Sequence, residues 1–157
     1  PELLISRTYA GNGDYAKAAQ YGEAAVADDP SNPMLYGYLG LVYWKQQQYA
    51  DAVDALRLAV RGGTAKTGEV VAGLPLDYER IGEFYYTYGL ALSKLGECGE
   101  ALQIAQAVAT GLRNDEVAVY NAQEVINTCE RLAIEGKSDV PTPTASAMPI
   151  LTATPQP

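Results

Sequence analysis

The stretch Tyr36-Gly37-Tyr38-Leu39-Gly40-Leu41-Val42-Tyr43 decides how the chain is read. Tyr36, Leu39, Gly40 and Tyr43 follow one another at three- and four-residue spacing, so they lie along one side of a helix. A glycine on that side marks a place where a second helix comes close, because a larger side chain would hold the two backbones apart. Its helix penalty of about 1 kcal/mol is offset only by such packing.

Working outward, the same pattern returns on both sides. Tyr9, Tyr15, Ala18, Ala25 and Val26 stand 34 residues before Tyr43, Tyr49, Ala52, Ala59 and Val60. Gly89, Leu92, Ala101 and Leu102 stand 49 residues after Gly40, Tyr43, Ala52 and Val53, so 15 residues are inserted between the second unit and the third. Apolar periodicity predicts helices over 2–11, 14–28, 33–46, 49–61, 78–95, 97–112 and 115–134. Stops fall at Gly11-Asn12-Gly13, Asp29-Pro30 and Gly62-Gly63, where turn and C-cap residues collect. The chain therefore divides into an all-α region, 1–136, with an insertion at about 64–81, and a tail, 137–157.

On these residues the chain resembles the tetratricopeptide repeat family, and in particular bacterial-type members with a Pro/Thr-rich C-terminal tail. Tyr36-x-x-Leu39-Gly40-x-x-Tyr43, Ala52, Leu56 and Ala59 give the clearest unit. The first unit departs at Ser6, where a small glycine is usual, and the third at Cys98 and Val108. The resemblance implies a right-handed α-solenoid of about three helix pairs, a C-terminal helix and an extended tail. It also implies that a partner protein or peptide binds the concave face lined by the first helix of each unit. By register that face carries Leu4, Arg7, Tyr38, Leu41, Trp44, Tyr86 and Leu90. Tyr and Trp are typical anchors when exposed there, and ordinary packing residues when they are not. Most positions that hold lysine and asparagine in carboxylate-clamping relatives carry Leu, Gly or Tyr instead.

Composition sets the outer limits. With 157 residues, 48% of them hydrophobic and 19% charged, the chain is long and apolar enough for one folded domain. A net charge of -8 disfavours nucleic acid and anionic membranes as partners, and no run is long enough for membrane insertion. The absence of histidine removes triads and His-ligated zinc. No phosphate loop occurs, and Glu79 and Glu83 read as a solvated helix face, so neither an enzyme nor a cofactor nor a metal site is expected.

Two readings stand for Cys98 and Cys129, which the implied repeat geometry brings together. One is a disulfide that ties the last helix to the third unit in an oxidising compartment, and the other is two independent buried thiols. Residues 137–157 hold five Pro, four Thr and two Ser. Thr142, Thr144, Ser146, Thr152 and Thr154 have the composition of an O-glycosylated stalk or of a plain linker. Met148, Ile150 and Leu151 are apolar handles for the groove of an adjacent copy. Both solenoid ends look open, with Leu3, Leu4 and Ile5 at one and Val119, Ile126, Leu132 and Ile134 at the other. Contact between copies of the chain, or units beyond this sequence, would cover them. The expected function is a non-enzymatic, self-assembling scaffold, extracellular or at the cell surface, with the periplasm or cytoplasm as alternatives. Its rival is a monomeric adaptor for a foreign peptide.

Overall fold

A computed structural model of the chain describes residues 1–76 and 80–141. Among them lie α1 (Glu2–Gly11), α2 (Tyr15–Asp28), α3 (Pro33–Lys45), α4 (Tyr49–Val60), α5 (Gly82–Lys94), α6 (Cys98–Gly111) and α7 (Glu116–Ile134). Three helix starts have a capping side chain. Asp14 accepts the Lys17 amide, Asn32 accepts the Met34 amide with Pro33 in the first turn, and Asp115 accepts the Ala118 amide.

Successive helices pack on one another, while α3 also packs on α5 and α5 on α7. The result is a solenoid of helix pairs in which α1, α3, α5 and α7 line one side. The predicted crossings hold. A Cβ on Gly40 would lie 2.5 Å from Leu56 Cγ of α4, and one on Gly89 3.3 Å from both Ile104 and Val125. Ser6 fits the small-residue position because its hydroxyl is satisfied, donating to the Ala18 carbonyl at 2.6 Å. Tyr88, Phe84, Leu56, Leu92, Val108 and Val125 are almost fully buried, each worth about 1.5–3 kcal/mol of transfer free energy.

The insertion is more ordered than the sequence suggested. β1 (Gly62–Thr64) and β2 (Val70–Ala72) form an antiparallel hairpin with Gly63 opposite Val71. Ala65 and Val71 are buried in the main core, and the Leu74 amide donates to the Ala59 carbonyl at 2.8 Å, tying the returning strand to the end of α4. Gly62 has φ +74°, and a Cβ there would meet the Val71 carbonyl at 2.5 Å, so the close turn off α4 requires glycine. Periodicity extends the fifth helix back to residue 78, but α5 starts at Gly82. Arg80 sits at φ +68°, which breaks the helical path just before it.

The C-terminal end also differs from expectation. Ile126 and Leu132 pack against the core, and the outer side of α7 carries Gln123 and Asn127, hydrogen-bonded to each other at 2.9 Å. The inner side of α7 thus covers the end of the core, while Val119 and Ile134 stay exposed as expected, together with Val117 and Tyr120. The chain does not leave the solenoid at residue 137. The Asp139 amide donates to the Gly96 carbonyl at 3.0 Å, and its carboxylate accepts the Gly99 amide at 2.9 Å. That carboxylate supplies the cap that Glu97 does not give to α6. Met148, Ile150 and Leu151, and the candidate glycosylation residues Thr142, Thr144, Ser146, Thr152 and Thr154, lie outside the described residues.

Candidate protein-binding groove

The groove begins with a missing side chain. Gly37 is buried on α3, and a Cβ there would overlap the ring of Phe84 on α5, so Phe84 lies flat against the α3 backbone with 2% of its surface exposed. Tyr38, the next residue on α3, meets that ring edge-to-face at 5.4 Å and 88°. The Arg7 guanidinium of α1 stands over Tyr38, 5.1 Å from the ring centroid. Three helices thus build a layered floor of Phe84, Tyr38 and Arg7.

Two cavities open on this floor. One of about 240 Å³ is lined by Arg7, Tyr38, Leu41, Lys45 and Glu83 among others. The other, of about 750 Å³, adds Arg80, Tyr86, Asp115 and Val117. They share Arg7, Tyr38 and Glu83, which makes them parts of one trough across α1, α3, α5 and the start of α7. Burial first, then Glu83 and Asp115, pushes the Tyr86 hydroxyl above its ordinary value, so it stays a neutral hydrogen-bond donor at physiological pH. The walls carry both signs of charge, Arg7, Lys45 and Arg80 with Glu83 and Asp115, around aromatic and aliphatic surface, a composition suited to holding a peptide.

Of the residues placed here by register, Arg7, Tyr38, Leu41 and Tyr86 line the trough. Leu4 does not; it points to solvent with 70% of its surface exposed. Trp44 packs on Tyr49 of α4, ring centroids 5.2 Å apart, and Leu90 packs against the core. Glu83, Arg80 and Asp115 were missed. Each lies at or just before a helix start, where counting along equivalent helices gives little guidance.

Away from the trough, Cys98 and Cys129 are disulfide-bonded, with Cα atoms 5.6 Å apart, and link α6 to α7. Of the two readings of these cysteines, the bridge is the one the structure contains. Tyr88 donates to Glu100, which also accepts from Arg61 Nε at 2.6 Å, so α4, α5 and α6 meet in one buried-edge network. Burial and that hydrogen bond push the Tyr88 hydroxyl up to about 12. Among the described residues no group of three or more His, Cys, Asp or Glu side chains is placed to hold a metal ion. No helix among them is long and apolar enough to cross a membrane.

Residues 3–66 match the family model of the tetratricopeptide repeat. That stretch, from α1 to the hairpin, is a tetratricopeptide repeat segment. The fold is similar to the NMR structure of the second tetratricopeptide repeat domain of the human RPAP3 protein, solved in complex with the HSP70 peptide SGPTIEEVD. The TM-score is 0.62 at 21% identity, covering 80% of this chain and 92% of that one. At that identity the likeness concerns the fold. Comparison with curated protein sequences gives no match. The trough is lined from α1, α3 and α5, the first helices of successive pairs, and from the start of α7.

Proposed function

We propose that this chain is a non-catalytic interaction module that holds an extended segment of a partner protein in the Arg7–Tyr38–Tyr86 trough. The observation that carries the reading is the support under Tyr38. Phe84 fixes the ring from below while the trough leaves it half-exposed, so an occupant meets an aromatic surface already ordered before binding. The peptide in the human RPAP3 structure supports a peptide as the kind of occupant. The Cys98–Cys129 bridge supports an oxidising compartment, hence a location at the cell surface, outside the cell or in the periplasm.

Selection from a random peptide library tests this. Enriched peptides are expected to bind with micromolar affinity and to lose at least about tenfold on Tyr86→Ala or Arg7→Glu. Peptides that bind both variants as well as the parent would contradict the trough as the site.

A second reading, self-assembly through the solenoid ends, is favoured by the exposure of Leu4 at 70% and Ile134 at 80% on opposite ends. Sedimentation velocity over a dilution series separates the two. Concentration-dependent growth that disappears in the Leu4→Ser, Ile134→Ser double variant supports assembly. A single monomer boundary at every concentration rejects it.

A further inference from the structure

The insertion between the second and third repeats builds a pocket on the opposite side of the solenoid from the trough. Helices α2 and α4 both pack on α3 and leave a cleft between them, whose floor is Tyr36, Leu39 and Tyr43. In a plain repeat such a cleft would run open at its end. Here the tip of the hairpin, Lys66 and Thr67, stands across it, and the enclosed space is about 260 Å³. That approaches the lower bound of about 300 Å³ for small-ligand sites and suits one long side chain.

The charge at its mouth is one-sided. Glu23, Asp51 and Asp54 line it from α2 and α4, against Lys66 as the one cation among the lining residues. Asp54 is shared with Arg57 at 3.7 Å, but neither Glu23 nor Asp51 makes an ion pair among the described residues. Glu23 instead accepts the Tyr43 hydroxyl at 2.6 Å. Burial first, then the hydrogen bond to Glu23 and the charges of Glu23 and Asp51, raises that hydroxyl above its ordinary value, so the floor of the cleft stays neutral beneath the carboxylates. Apolar walls below uncompensated carboxylates match a side chain with an aliphatic stem and a cationic head.

We infer that this cleft is a second protein-docking site, which accepts an arginine or lysine side chain presented between apolar residues of a partner segment. The inserted hairpin acts as its end wall. The site is separate from the trough, so a partner can be held on both sides of the solenoid.

The test is an NMR titration of the full, isotope-labelled chain with the capped peptide Ac-Leu-Ala-Arg-Ala-Leu-NH2, and with the same peptide carrying citrulline in place of arginine. Citrulline keeps the shape and removes the charge. Saturable shifts are expected at the amides around Tyr43, Asp51 and Lys66, with a dissociation constant on the order of 1 mM or below. The citrulline peptide binds about tenfold more weakly, as two lost ion pairs would give. Asp51→Asn weakens the arginine peptide about two- to fivefold and Lys66→Ala strengthens it by a similar factor; both residues are exposed, so the fold is kept. Equal binding of the two peptides, shifts confined to Tyr38 and Tyr86, or no saturable shift up to about 5 mM would each overturn the inference.

Discussion

Reduction of the Cys98–Cys129 bridge is expected to cost about 4 kcal/mol of stability. The bridge spans 31 residues, from the start of α6 to the fourth turn of α7. In the chain-entropy description, closing such a loop removes about 2.1 + 1.5R ln 31, or about 12 cal/mol/K, from the unfolded chain, which is about 3.7 kcal/mol at 25 °C. Little is expected to offset it, because Cys98 and Cys129 are both buried and the reduced thiols keep almost the same packing. A domain of this size has roughly 5–15 kcal/mol in total, so a quarter or more would be lost. At about 2–4 °C per kcal/mol, the melting temperature falls by roughly 7–15 °C. Urea unfolding with and without a phosphine reductant, followed by circular dichroism at 222 nm, reads the change, and intact mass confirms reduction in the unfolded state. A loss below about 1 kcal/mol with the mass shift complete would refute the claim that the bridge constrains α7 against α6.

Stability should fall at high pH because Tyr88 is neutral in its buried network. Its hydroxyl is raised to about 12, against about 10 when unfolded, so the contribution is intact below pH 10 and is lost as pH rises toward 12. Tyr88→Phe should flatten this loss in alkaline urea titrations, and an unchanged slope would count against the assignment. Gly40→Val places branched atoms against Leu56 and should destabilise by about 1–3 kcal/mol in spite of the better helix propensity, as thermal melts would show. Asp139→Ala removes the acceptor for the Gly99 amide and should cost about 1 kcal/mol, with faster amide exchange confined to the first turn of α6.

The repeat itself was legible because its determinants are local. Gly40 and Gly89 mark helix crossings wherever they recur, and Gly11-Asn12-Gly13, Asp29-Pro30 and Gly62-Gly63 mark where helices stop. The hairpin was not legible, since three-residue strands with two adjacent glycines carry no alternation to read. Asp139 was hidden for a different reason. It sits in a stretch whose composition reads as tail, and its capping partner is 40 residues away.

The trough was half legible. Register arguments take the same position from each helix, whereas the trough crosses the helices obliquely. It uses the middle of α1 and α3 through Arg7, Tyr38 and Leu41 but only the beginning of α5 and α7 through Glu83, Tyr86 and Val117. Leu4, Trp44 and Leu90 fall off that diagonal, and Glu83 and Asp115 fall on it. Phe84, which holds Tyr38 in place, gave no sign of its role in sequence, because the space for it is created by Gly37 on another helix.

The central claim is that the trough binds a partner segment, and the most direct test is a cross-linking map with a library-selected peptide carrying a single photoreactive phenylalanine analogue. The account predicts adducts on the tryptic fragments that contain Tyr38 and Tyr86, lost on competition with unlabelled peptide. Competed adducts found only on the outer side of α7 or at the α1 end would contradict it.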